Sequence, residues 1–289
     1  MDSRTEPINW FPGHMAKSRR LLSEQIGRAD LVIELCDARL PYSSRNPELN
    51  QIINKKNRIL LLNKSDLADP QATKKWIQYF KTKGIQSYAI NSHKMNRKEL
   101  VRIIDQATKE NIEKYIAKGI RKTVRVVVIG VPNVGKSTFI NRIRGSGVVQ
   151  TGDKPGITKS QHWVHISPYL ELLDTPGMLW PRLDDQIAAK RLCYIGSVKD
   201  DVIDLYNLSI SLLEELKNIS PGALKERFHL ENSDLNGQSL LDAVCQGRGW
   251  LQKGNRYDYD RGCSIILDEF RAGKLGNISL EMPQNDSEE

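Results

Sequence analysis

Apolar residues along the chain gather into short runs, each followed by a polar loop and a helix-like segment: Leu31–Cys36, Arg58–Leu62, Gln86–Ile90, Val124–Ile129 and Leu170–Leu173. That alternation predicts an α/β fold with a mainly parallel sheet flanked by helices. His162–Ile166, followed closely by Tyr169–Leu173, reads as a hairpin and gives the sheet one antiparallel edge. Asn96–Lys118 reads as a helix and Gly119–Thr123 as a short linker into the Val124 strand. After Gly177 the strand pattern stops, and helical segments take over at Asp201–Asn218, Ser239–Gln246 and Gly262–Ala272. The expected organisation is an α/β domain over 1–180, a connecting segment over 181–199 and a small α-helical domain over 200–289. The final MPQNDSEE is expected to fray.

Composition narrows the class. Apolar residues make up 39% of the 289 and charged residues 27%, as in a soluble globular protein. No apolar run approaches the roughly 18 residues of a membrane span. The first residues, MDSRTEPINWFPGHM, have neither an apolar signal core nor transit-peptide composition. Cys36, Cys193, Cys245 and Cys263 are scattered without metal or redox spacing, which suits a reducing cytoplasm. The net charge of +8 is uneven: residues 1–130 hold 25 Lys/Arg against 13 Asp/Glu, and 220–289 hold 8 against 12. A basic face of this kind suits either a solvated surface or a polyanion such as RNA.

Candidate chemistry begins at Gly130-Val-Pro-Asn-Val-Gly-Lys-Ser137, which fits GxxxxGK[ST] and follows an apolar strand. Such a loop wraps backbone N–H groups of Asn133, Val134, Gly135 and Thr138 around phosphates, while Lys136 adds a point charge and Ser137 a hydroxyl for Mg²⁺. A chance match in this length is on the order of 1%, and the strand–loop–helix setting lowers it further. Asp-x-x-Gly is weaker, expected about once by chance, and it occurs at Asp153, Asp174 and Asp234. Only Asp174 ends an apolar strand, which aims it at the Mg²⁺ shell and Gly177 N–H at the γ-phosphate. Thr158 is the candidate switch threonine, and Asp234 reads as a plain turn.

Asn63-Lys-Ser-Asp66 follows the strand RILLL. The Asp66 carboxylate can accept from N1–H and N2–H₂ of guanine, a donor pair adenine lacks. Asn63 can reach the N7 side of the purine and the Lys64 stem can cover its ring. Alone, the motif also fits a loop with Asp66 as a helix cap.

These motifs together resemble the translation-factor class of P-loop GTPases, in which the phosphate loop comes first. Here Asn63–Asp66 and Asn91-Ser92, at the place of the class's Ser-Ala, precede it. That order is the order of the circularly permuted GTPases, and Asp37-Ala-Arg-Leu-Pro41 looks like their DARxP signature. Trp10–Lys17 (WFPGHMAK) and Asp268–Gly276 (DEFRAGKLG) narrow the resemblance to the ribosome biogenesis GTPase A family, over nearly the whole chain. The resemblance implies GTP hydrolysis to GDP, late assembly of the large ribosomal subunit, and a C-terminal helical domain docking on ribosomal RNA. The expected molecule is a cytoplasmic monomer with no membrane attachment. Competing readings are a GTP-dependent RNA scaffold with negligible turnover and a permuted GTPase of the small subunit.

Permutation hangs the C-terminal helices directly from the segment after Asp174, so hydrolysis is expected to move an RNA-binding module. The position after Gly177, where many GTPases place a water-orienting Gln, is Met178. Two residues can stand in. His14 precedes a helix that runs antiparallel to the Leu31–Asp37 strand, which puts it on the nucleotide side, and the resemblance assigns it to catalysis; Lys136 is the other catalytic candidate. An RNA contact or a helix cap is its competing reading. Asn133 resembles the phosphate-loop Asn by which several Gln-lacking GTPases hold K⁺, with loop stabilisation as the alternative. Arg248, Lys253, Arg256 and Arg261, with Arg271, Lys274, Trp250 and Tyr257, are the candidate RNA-facing set; Trp250 and Phe270 also fit a core.

Overall fold

The structure, a computed structural model, describes residues 15–47, 52–53, 56–120, 122–145, 163–167, 169–174, 185–232 and 234–283, with no side-chain description for 15–19, Trp163, Val164, Ser167 and Asp174. Helix α1 (Met15–Arg28) leads into β1 (Leu31–Asp37) and β2 (Asn57–Asn63); α2 (Pro70–Thr82), β3 (Gln86–Ala89) and α3 (Arg97–Ala117) follow. Then come β4 (Val124–Ile129), α4 (Lys136–Arg144) and the pair β5 (Trp163–Ser167) and β6 (Leu170–Asp174). The remainder is helical: α5 (Gln186–Tyr194), α6 (Leu205–Ile219), α7 (Pro221–Phe228), α8 (Gly237–Gly247) and α9 (Tyr259–Arg271), with a two-residue-strand hairpin, β7 (Leu251–Gln252) and β8 (Arg256–Tyr257), before α9.

The sheet order is β3-β2-β1-β4-β6-β5. All pairings are parallel except β5 with β6, the antiparallel edge expected from the sequence. The chain builds outward from β1 to β3 and then returns to place β4 on the other side of β1. The order therefore reverses between β1 and β4, and in open α/β sheets a ligand sits beyond the carboxyl ends at such a point. Register brings Asp37 level with Asn63, and Val128 level with Asp174, so the ends of four strands open on one edge.

Local signals explain most boundaries. Asp69 caps α2, its Oδ1 accepting from Ala72 N at 2.6 Å, and Pro70 opens the first turn. Asn96 and Glu99 form a reciprocal capping box on α3, which matches the helix expected there. The segment expected from Asp201 instead divides into a 3₁₀ turn at Asp200–Val202 and α6, because Asp204 caps Tyr206 and Asn207. Likewise α9 starts at Tyr259, three residues before its expected start, under the cap of Asp258. The 181–199 stretch contains α5, whose Ala189, Leu192, Cys193 and Tyr194 are fully buried.

Trp76 and Phe80 of α2 stack and cover Cys36, Leu60 and Leu62 on one sheet face, and Leu22 and Ile26 of α1 pack on Val32, Val127 and Ile129. Leu212 and Leu216 of α6, Leu240 and Val244 of α8, and Ile266 and Phe270 of α9 continue without a break into the cluster containing Tyr194, Leu35 and Val131. No helix among the described residues is long and apolar enough to cross a membrane.

Candidate functional site

The loop between β4 and α4 carries the phosphate motif. Gly135 adopts φ +96°, and a Cβ there would collide with the Asn63 amide, so glycine is required on both counts. This turn starts α4 at Lys136 and points the first helical N–H groups back over the loop, the arrangement that binds anions. Lys136 is buried, and its Nζ donates to Val131 O at 2.9 Å, which holds the ammonium inside the loop. Ser137 and Thr138 stand half-buried in the first helical turn.

Asn63 joins this loop to the second motif. Its Nδ2 donates to Val134 O at 2.7 Å, and its Oδ1 accepts from Ser92 N at 3.1 Å and Ser92 Oγ at 2.9 Å. One buried amide thus spans the guanine segment, the Asn91–Ser92 turn and the phosphate loop. Asn91 Oδ1 accepts from His93 N and Lys94 N, and Arg142 of α4 donates to Ser92 O and His93 O. The Asp66 carboxylate remains exposed, with Lys94 Nζ at 3.5 Å. Lys64, at φ +57°, turns its ammonium to Asp37, 3.1 Å from Oδ2.

That contact reveals what the DARxP sequence does. Arg39 is fully buried and grips Asp37 with both arms, Nε to Oδ1 at 3.0 Å and Nη2 to Oδ2 at 2.9 Å. Its Nη1 donates to Phe270 O at 2.7 Å, at the carboxyl end of α9, where a cation is favoured, and the guanidinium lies over the Phe270 ring. Burial pushes the Asp37 carboxyl up, but Arg39 and Lys64 outweigh it and hold it well below the usual carboxylate range. Burial lowers the Lys64 ammonium, with Asp37 pulling the other way. The sequence marks Asp37 and Arg39 only as a signature; their role depends on a partner more than 200 residues away.

The phosphate loop also touches the helical layer. Asn133, at φ +62°, donates from Nδ2 to Gly196 O at 2.5 Å, and Ser197 Oγ donates to Pro132 O at 2.7 Å. The Asn133 amide is thus occupied by a loop-stabilising bond in this structure. Asp174 ends β6 beside the strand that carries the loop. His14, Thr158, Gly177 and Met178 lie outside the described residues.

The residue pattern and topology agree with what known proteins show. The family model described as a 50S ribosome-binding GTPase matches residues 125–228. Ribosome biogenesis GTPase A of Bacillus cereus is 43% identical over 98% of this chain and 96% of its own length. The chain belongs to the ribosome biogenesis GTPase A family. The Thermotoga maritima protein of the same name is 29% identical over 96% of the chain. GNP-bound YlqF from T. maritima superposes with a TM-score of 0.67 at 26% identity, covering 93% of this chain and 99% of its own; a GDP-bound YlqF gives 0.70 at 25%, covering 92% and 100%. This ribosome biogenesis GTPase A family member is therefore a GTPase on a circularly permuted P-loop fold.

The candidate RNA-facing residues of this GTPase separate into two groups. Lys253 and Arg256 on the β7–β8 hairpin and Arg261 in the first turn of α9 are exposed, with Tyr257 half-buried beside them. Arg248 instead pairs with the buried Glu269 at 3.5 Å and lies over Trp250, itself only 4% exposed. Arg271 donates to Cys193 O and Tyr194 O and pairs with Asp200. Arg248, Arg271 and Trp250 are thus engaged in the packing of the helices, a division that residue type alone does not disclose.

Proposed function

We propose that this GTPase binds GTP across Asn63–Asp66, Asn91–Ser92 and Gly130–Thr138, and couples its nucleotide state to assembly of the large ribosomal subunit. The observation that carries the reading is the Asn63 amide, which holds the guanine segment and phosphate loop in one rigid unit. The large subunit is favoured over the small because the matching family model is named for 50S binding. Cytoplasmic action as a monomer goes with this reading, as does a division into a GTPase domain (1–180), a connecting segment (181–199) and a helical RNA-binding domain (200–289).

Ser137, in the first turn of α4, and Asp174, at the end of the neighbouring strand, would hold Mg²⁺, with Thr158 and Gly177 expected as switch partners. When bound, the ion neutralises charge between the β- and γ-phosphates. Lys136 stabilises the same oxygens, the α4 amides cradle the β-phosphate, and Asp66 selects guanine. His14 orients the attacking water in place of the missing Gln. K⁺ near Asn133 would be held by its Oδ1, with Nδ2 donating to Gly196 O. Lys253, Arg256 and Arg261 supply phosphate contacts to ribosomal RNA.

The test is GTP hydrolysis by the full chain with purified large subunits, small subunits or neither, in K⁺ and in Na⁺ buffer. Selective stimulation by large subunits supports the assignment. Stimulation by small subunits alone overturns it, and equal rates in the two salts remove the K⁺ role.

A further inference from the structure

The chain beyond α9 returns to the back of the guanine loop. Asn277 Nδ2 donates to Asp66 O at 3.0 Å, Ile278 N to Leu67 O at 3.1 Å, and Asp69 N to Ser279 Oγ at 3.1 Å. Leu280 N then donates to Arg39 O at 3.0 Å. The Glu281 carboxylate closes the row, accepting from Tyr42 N at 2.7 Å and from both the backbone and hydroxyl of Ser43, while Trp76 Nε1 donates to Glu281 O at 3.0 Å. Five consecutive residues are thus bonded to the guanine loop or to the turn after β1. Upstream, Gly273 at φ +72° leaves no room for a Cβ against Leu67, so the strap also presses on the residue beside Asp66.

We infer that Asn277 and Ser279 are positioning residues for guanine selection: the strap fixes the backbone at Asp66 and on its C-terminal side so that its exposed carboxylate meets the N1–H and N2–H₂ edge of the base. This rests on the reading of Asp66 as the guanine contact. Asn63 and Ser65 are fixed from the sheet side, Ser65 N donating to Ile90 O at 3.1 Å, and the strap supplies the bonds at Asp66 O, Leu67 O and Asp69 N. Lys64 is in the left-handed region, and among the described residues the Asp66 carboxylate has Lys94, 3.5 Å away, as its charged partner. Without the strap bonds, the Asp66 and Leu67 carbonyls lose their donors, Asn277 Nδ2 and Ile278 N. The carboxylate then samples positions in which a hydrogen bond to the 2-amino group is long or bent.

The experiment compares affinities of the full chain for GDP and IDP, which lacks the 2-amino group, by competition against a fluorescent GDP analogue. In the wild type, GDP is favoured on the order of tenfold or more, as expected for a hydrogen bond to a charged group. Asp66→Ala collapses that preference. Asn277→Ala combined with Ser279→Ala is expected to reduce it by about threefold or more through weakened geometry. Asn277→Ala alone gives a smaller shift in the same direction and serves if the double variant folds poorly. Leu240→Ala, in the α6–α8 core away from the strap, lowers thermal stability but leaves the GDP/IDP ratio at the wild-type value. If the strap variants lose GDP and IDP affinity equally, the strap is only structural and the inference fails while the Asp66 reading stands. If Asp66→Ala keeps the wild-type ratio, both fail.

Discussion

Replacing Arg39 by Met tests the joint between the nucleotide domain and the terminal helix. The side chain is 1% exposed and makes three bonds of 3.0 Å or less, two to Asp37 and one to Phe270 O. Methionine fills much of the volume but leaves a buried carboxylate and a buried carbonyl short of a donor. Breaking a buried pair by removing one partner costs about 3–5 kcal/mol. Lys64, still 3.1 Å from Asp37, keeps part of the compensation, which points to about 3 kcal/mol. For a chain of this size that is about 6–12 °C in Tm, measured by circular dichroism with GDP absent. Arg39→Lys keeps the charge but cannot reach two carboxylate oxygens and Phe270 O together, so it should recover less than half. Asp37→Asn in the Arg39→Met background should cost much less than in the wild type, with a coupling of at least about 1.5 kcal/mol. The pH dependence has a definite sign. Because the folded Asp37 pKa is depressed, its contribution is complete above the ordinary carboxylate range and is lost only as pH falls through the lower folded value. The wild type should therefore keep its advantage from pH 7 to about pH 5 and lose it in stronger acid. A Tm drop below about 2 °C for Arg39→Met, or strict additivity with Asp37→Asn, would refute the reasoning.

Three further outcomes follow from the geometry. Gly135→Ala must strain a φ of +96° and displace the Asn63 amide, so GDP affinity measured by calorimetry should fall by about a hundredfold or more. Glu269 is held by Arg227 at 2.5 Å and Arg248 at 3.5 Å, and although burial pushes its carboxyl up, these cations outweigh it and hold it below the ordinary glutamate value. Glu269→Gln should then reduce Tm at neutral pH, a difference that vanishes as acid protonates the wild-type carboxyl. His14→Ala should slow subunit-stimulated hydrolysis by about 10²–10⁴-fold while leaving GDP affinity unchanged; equal turnover in the variant would remove His14 from the chemistry.

The strands were readable because their apolar runs recur between helical segments, and Leu31–Cys36 and Val124–Ile129 coincide closely with β1 and β4. The phosphate and guanine motifs were readable because both chemistries demand particular residue types at fixed local spacing. Local spacing is also the limit. Arg248 and Lys253 are alike as letters, but Glu269 and Trp250 claim the first through contacts that form only after α7, α8 and α9 pack. The stretch before Lys199 lacks a strand pattern and reads as a connection, yet α5 forms there because Asp185 caps it and its Leu192 and Tyr194 have a core to enter. Asn277 and Ser279 carry no motif at all, since their partners are a backbone carbonyl and an amide some 210 residues earlier.

Those long-range bonds change the mechanical picture that permutation suggests. A module hanging from the segment after Asp174 by one end could swing when the γ-phosphate leaves. Here the helical part is held at both ends: Asn133 and Pro132 meet Gly196 and Ser197 near its start, and the strap after α9 is bonded to Asp66, Leu67 and Asp69 at its finish. Arg39 adds a third tie at Phe270. A swing would have to break several bonds together, and the buried one from Arg39 to Phe270 O alone costs about 1–3 kcal/mol when a partner is left unpaired. A shift that preserves the ties and repacks α5 against α6 and α9 costs far less, because it exchanges apolar contacts. On the proposed RNA-binding reading, coupling to nucleotide state is therefore better sought in small displacements of Arg256 and Arg261 than in a large reorientation of the helices.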